Sequence, residues 1–214
     1  FPLFLGAGPG RKSLLWMFES HTDQIKMELP EDMFRLTDEG IEFIETDINR
    51  VKGVNKEKSE RFTQAMKNEG IQFPIKNIYG LPSTSKSKDD GYFMVDNKDD
   101  FFHLKMYDGE PQCHKIPLPV GMQVNGMNCL VDNVNYGYVY DQNYNIYLMR
   151  IKDYSFFQLP IYDYKDYGSL ITMSEDLFFY TYQLYGLDRV KIYVVDKEHN
   201  LLASETLVYP LYEN

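Results

Sequence analysis

The sequence predicts a mainly β chain, a propeller-like stack of antiparallel hairpin sheets with one inserted helix. An incomplete propeller and a β-sandwich are the alternatives. Three observations predict this. The 214 residues include 18 Tyr and 14 Phe, side chains that suit a pleated, half-buried surface. Apolar and polar residues alternate with period two through the first part of the chain. From Gly91 onward, a unit built on an Asp turn recurs three times.

The length fits a single domain with a substantial core. It divides into an N-terminal meander (1–54), a helix (55–70) and β repeats (71–214). In the meander, residues 13–19, 24–29, 33–36 and 41–46 each read as a strand. Leu29-Pro30-Glu31-Asp32 breaks a ladder, and Asp38-Glu39-Gly40 supplies a residue tolerant of positive φ. Asn55 is a good helix N-cap, Glu57 and Glu60 favour the positive end of the dipole, and Phe62, Ala65 and Met66 form an apolar stripe. Gly70 is placed to end the helix in the left-handed conformation.

The three units centre on Met94-Val95-Asp96, Val139-Tyr140-Asp141 and Val194-Val195-Asp196. Each is followed by a polar turn, an Asp or Asn, and a second apolar strand. An Asp at this position bonds the backbone two residues on. The intervals of 45 and 55 residues are near a propeller blade in length. In the middle unit, residues 128–131, 136–141, 145–151 and 154–159 give four strands.

Composition narrows the function classes. The net charge of −10 repels phosphate backbones, and the basic residues Lys56, Lys58, Arg61 and Lys67 are interleaved with Glu57, Glu60 and Glu69, so no nucleic-acid partner is expected. No apolar run reaches transmembrane length. The chain begins Phe1-Pro2-Leu3, without an initiator Met, and reads as an excised or processed fragment. Cys113 and Cys129 lack metal-site spacing, which leaves two buried thiols or one disulfide.

Motifs that resemble chemistry mostly fail on one residue. Gly6-Ala7-Gly8-Pro9-Gly10-Arg11-Lys12-Ser13 carries Arg11 where a phosphate loop needs glycine. Alternation puts Phe102, Leu104 and Met106 on one strand face and turns His103 outward with Lys105. His114 has no second ligand pair, while His21 and His199 fall in predicted turns. Asp96-Asn97-Lys98-Asp99-Asp100 is oxygen-rich but lacks the alternation of a calcium loop and contains a Lys. No catalytic, metal or cofactor site is therefore expected.

The tyrosines remain. Tyr136, Tyr138, Tyr140, Tyr144 and Tyr147 suit cross-strand packing. Tyr162, Asp163, Tyr164, Asp166 and Tyr167 crowd one loop and make a candidate ligand-binding set, since a Tyr ring offers an apolar face and a polar tip. Three function classes stay open: a non-catalytic interaction domain, a glycan-binding module using this loop, and a hydrolase should folding bring two carboxylates, or a His and a nucleophile, together.

A longer pattern runs through the chain. Met27-Glu28-Leu29-Pro30-Glu31-Asp32-Met33-Phe34-Arg35-Leu36-Thr37-Asp38 is followed by Gly40-Ile41-Glu42-Phe43-Ile44, Lys58-Ser59-Glu60-Arg61-Phe62-Thr63 and Phe73-Pro74. Then come Gly80-Leu81-Pro82-Ser83-Thr84, Asp90-Gly91-Tyr92-Phe93 and Phe102-His103-Leu104-Lys105. This series resembles the DUF4857 family, of unknown function, from Bacteroides and relatives. The resemblance implies a larger parent whose N-terminal membrane segment anchors a periplasmic domain. It also implies a protein partner, a component of an ABC-type membrane transport system. It implies no catalytic residues.

Overall fold

The computed structural model describes residues 14–20, 27–47, 50–162, 164–167 and 170–209. They form four antiparallel meanders stacked in chain order. Sheet I contains β1 (Asp32–Leu36), β2 (Ile41–Asp47) and β3 (Arg50–Asn55), followed by α1 (Lys56–Asn68). Sheet II contains β4 (Asn77–Gly80), β5 (Tyr92–Val95), β6 (Phe101–Tyr107) and β7 (Glu110–Ile116). Sheet III contains β8 (Val124–Cys129), β9 (Asn135–Asp141), β10 (Ile146–Arg150) and β11 (Phe156–Gln158). After the single turn α2 (Tyr164–Tyr167), sheet IV contains β12 (Leu170–Glu175), β13 (Tyr180–Tyr185), β14 (Arg189–Val195) and β15 (Leu201–Val208). Sheets II to IV are four-stranded, blade-like units, so the fold is propeller-like, and none of the sheets closes on itself.

Each seam between sheets is a separate hydrophobic cluster. Phe34, Phe43, Phe62, Tyr92 and Phe102 fill the seam of sheets I and II; Phe93, Phe101, Met127 and Val139 that of II and III; Tyr138, Leu148, Tyr182 and Tyr193 that of III and IV. Alternate residues of β5 therefore enter different cores, Tyr92 and Met94 on one side, Phe93 and Val95 on the other. An inner sheet buried on both faces has no wet face. That corrects the expectation for His103. The period-two reading is right about its face, but that face lies against sheet III, and His103 is 0% exposed.

The Asp turns are present as expected. Asp141 Oδ1 accepts from the N–H of Asn143 and Asn145, both at 2.8 Å, and Asn145 Nδ2 donates to Oδ2 at 2.8 Å. Asp196 does the same with Glu198 and Asn200, while Asp96 Oδ1 accepts from the N–H of Lys98 and Asp100. In all three the residue before the closing Asp or Asn takes positive φ: Asp99 66°, Tyr144 65° and His199 63°. The third turn is out of phase. It joins the third and fourth strands of sheet IV, whereas the other two join second and third strands. One extra strand and its turn account for the longer second interval.

In the N-terminal region α1 matches expectation, with Asn55 Oδ1 accepting from Lys58 N–H at 3.0 Å and Gly70 at φ 93°. Ser59, Phe62 and Met66 are its buried residues. Ser59 Oγ and Thr63 Oγ1 accept from Phe43 N–H (2.9 Å) and Ile41 N–H (3.1 Å), so the helix takes over where β3 ends, at the Phe43–Asn55 pair, as the partner of the start of β2. Gly40 is not at positive φ; it is needed because a Cβ there would sit 2.5 Å from Thr63 Oγ1. Two expected strands differ. Residues 14–19 make only isolated bridges, Leu15 to Phe34 and Glu19 to Met106. Residues 27–29 are not a strand: Met27 is buried, but Pro30 follows with no N–H to donate to a ladder. Residues 24–26, and the glycine-rich stretch Gly6 to Ser13, lie outside the described residues. Among the described residues, no helix is long and apolar enough to cross a membrane.

Candidate recognition cleft at the end of sheet IV

The β12–β13 and β14–β15 turns lie at the same end of sheet IV. Asp176 Oδ1 accepts from Phe178 N–H and Phe179 N–H, both at 2.7 Å, which fixes the first turn and holds the Asp176 carboxyl below the usual carboxylate range. The turn therefore presents Leu177 (87% exposed), Phe178 (68% exposed) and Phe179 as an apolar tip on a pinned main chain. Lys197, in the second turn, donates to Glu175 Oε1 at 2.8 Å and to the Asp176 carbonyl, tying the two turns together.

Beside them is a cleft of about 400 Å³ at the seam with sheet III, lined by Phe157, Gln158, Pro160, Tyr162, His199 and Asn200. His199, at φ 63°, is buried with its ring under the turn. There it stacks on Tyr180 (4.8 Å, 14° between planes), tilts against Phe157 (5.4 Å) and lies 3.3 Å from the Tyr182 hydroxyl. Burial, and secondarily the charge of Arg150, lowers its pKa, so the ring is neutral at neutral pH. Lys197 Nζ covers the Tyr180 ring, 4.3 Å from its centroid. Asn200 Nδ2 is committed to Asp196 Oδ2, which orients its carboxamide. Tyr162, 69% exposed, is the aromatic ring that the cleft offers to solvent. The described lining residues offer aromatic rings, a histidine and two carboxamides, the parts of a recognition surface.

Of the loop set expected to bind ligand, the structure places Tyr162 at this cleft. Tyr164 is only 9% exposed, its ring stacked on Tyr140 at 5.0 Å within the core. Asp163 and the side chains of Asp166 and Tyr167 lie outside the described residues. Sequence reading missed His199 as a cleft residue. Its place one residue before Asn200 in the Asp turn predicts positive φ but not burial, since Tyr144 at the equivalent position is exposed.

Other clusters are structural. His103 stacks on Phe93 (4.2 Å, 11°), its Nε2 faces the Asp90 carbonyl, and its Nδ1 lies 2.9 Å from the Tyr154 hydroxyl. A carbonyl only accepts, so Nε2 carries the proton and Nδ1 accepts from Tyr154. Burial pushes the His103 pKa down to about 3. In the acidic loop, the oxygens of Asp96 accept from Lys98, Asp100 and Gln72 N–H, Asp99 pairs with Lys76 and Asp100 with Lys115. Cys113 and Cys129 are free thiols, and burial raises both to about 12. A larger groove of about 680 Å³ between β2 and α1 is lined by Glu42, Glu57, Glu60, Arg61 and Lys67. Arg61 is paired there with Glu110, and Glu42 with Arg35, as on an ordinary solvated face.

No curated protein matches the chain. A solved structure of the Dos1 propeller is similar over 83% of this chain and 45% of that one, with a TM-score of 0.43 and 11% identity. The chain thus spans less than half the length of that structure. The model of the family described as "Domain of unknown function (DUF4857)" matches residues 9–195, and the chain belongs to that family.

Proposed function

We propose that this is a non-catalytic binding domain that docks a protein partner on the apolar tip and cleft at the end of sheet IV. The observation that carries it is the tip itself: Leu177 and Phe178 are exposed on a turn whose main chain is pinned by Asp176 and Lys197. A pinned turn that presents apolar anchors beside a pre-formed cleft spares the main-chain part of the ordering cost of binding, which suits an interface hot spot. In keeping with what the family resemblance implies, the partner is a component of a membrane transport system and the domain works outside the cytoplasm. The test is site-specific photo-crosslinking of the full-length protein in its own membranes, with the crosslinker at position 178, at position 162 and at exposed Val120 as control. The expected result is one transport component captured at 178 and 162 and not at 120. Equal capture at all three positions, or none, overturns the reading.

A second reading, a glycan ligand, is favoured by one feature, the exposed Tyr162 ring flanked by the amides of Gln158 and Asn200. A glycan array probed with wild-type protein and Tyr162→Ala decides it: hits lost in the variant support a sugar site, and an empty array ends that reading.

A further inference from the structure

The connection between β4 and β5 is much longer than a hairpin needs; the neighbouring β6–β7 hairpin turns on Asp108 and Gly109. It also crosses a seam. The charges of Lys86, Asp89 and Asp90 all act on Cys129 of β8, which packs on the cluster between sheets II and III. His103 of sheet II donates from Nε2 to the Asp90 carbonyl, and its Nδ1 accepts at 2.9 Å from the hydroxyl of Tyr154, in the β10–β11 turn of sheet III. Among the described residues, no bond between main-chain groups ties residues 81–90 to the rest of the protein.

The connection holds its own ion pair inside. Lys86 Nζ donates to Asp89 Oδ2 at 2.7 Å, with the two side chains 10% and 2% exposed, and Asp89 Oδ1 accepts from Gly91 N–H at 2.7 Å. Burial raises the Asp89 carboxyl above its ordinary range in spite of Lys86 beside it. Desolvation of the pair is therefore not fully offset by its attraction, and opening gives both charges back to water. We propose that residues 81–90 form a strap that lifts as one unit from the seam of sheets II and III while the sheets stay folded, with Lys86–Asp89 as its latch and His103 and Cys129 beneath it. A segment with so few ties to the body opens at a lower free energy than global unfolding. Lys86→Gln keeps a donor for Asp89 but leaves the carboxylate buried without a counter-charge, which favours the open strap. Adding Asp89→Asn removes that charge and leaves a neutral amide pair, so the double variant closes more firmly than wild type.

None of these residues lines the cleft beside sheet IV, so this proposal and the proposed function fail independently. Hydrogen exchange at pH 7, followed by NMR, tests it through two bonds at different points of the strap, Gly91 N–H to Asp89 and His103 Nε2–H to the Asp90 carbonyl. After correction for intrinsic rates, both should report one opening constant, about tenfold or more above that of the β5–β6 ladder amides. Lys86→Gln should raise that constant by about tenfold or more, and Lys86→Gln with Asp89→Asn should bring it below the wild-type value. Reporters that exchange no faster than the ladder, two different opening constants, or a double variant that opens as readily as Lys86→Gln would overturn it.

Discussion

Asp141 shows how much one side chain holds here. It is almost fully buried, its carboxylate satisfies two main-chain N–H groups and one amide, and it closes the β9–β10 hairpin. Asp141→Ala leaves those donors without their acceptor and should cost about 1–3 kcal/mol in a denaturant titration. His103 makes a pH-dependent contribution. The ring is neutral in the fold down to about pH 3 and has an ordinary pKa near 6.5 when unfolded. Below 6.5 the unfolded chain therefore binds the extra proton. The stability that His103 supports is complete above pH 6.5 and falls away between pH 6.5 and about 3. Between pH 7 and pH 5 wild type should lose about 2 kcal/mol more than His103→Phe, measured by denaturation at both pH values. Equal losses would show that the ring titrates normally.

At the scale of elements, the glycines separate two kinds of constraint. Gly91, at φ 69°, precedes β5, and a Cβ there would lie 2.3 Å from the Leu104 carbonyl. Gly109, at φ 76° in the β6–β7 turn, has nothing within 4 Å of that position. Gly109→Ala should cost about 1 kcal/mol, for backbone strain alone, and Gly91→Ala at least about 3 kcal/mol, because the β5–β6 pair must also move apart. Thermal unfolding of the two variants compares them directly. Much of this level was legible in the sequence. The helix with its caps at Asn55 and Gly70, and the four strands of sheet III, follow from period, capping and turn residues. What the residues do not announce is which turn of a meander an Asp closes, so the phase shift in sheet IV was hidden. Nor does local pattern distinguish a glycine needed for positive φ from Gly40, which is needed for contact with Thr63, 23 residues on.

For the whole molecule, stacking decides what each strand face does. An alternating strand predicts one wet face only when its sheet has no neighbour on that side. Sheets II and III have neighbours on both, which is why His103 is buried, and no local feature of Phe101 to Met106 could reveal it. The candidate site was legible only in part: Tyr162 stood out as a loop tyrosine, whereas Tyr164, two residues away, is consumed by packing on Tyr140. The Leu177-Phe178-Phe179 tip passed unnoticed because an apolar triplet reads as strand; Asp176 makes it a turn. The most direct measurement of the central claim uses the full-length protein carrying Leu177→Asp and Phe178→Asp together. Both side chains are exposed, so the variant should unfold at the wild-type temperature while crosslinking of the partner through position 162 is lost. Crosslinking that persists at the wild-type level in a folded double variant would contradict the claim that this end of sheet IV is the working surface.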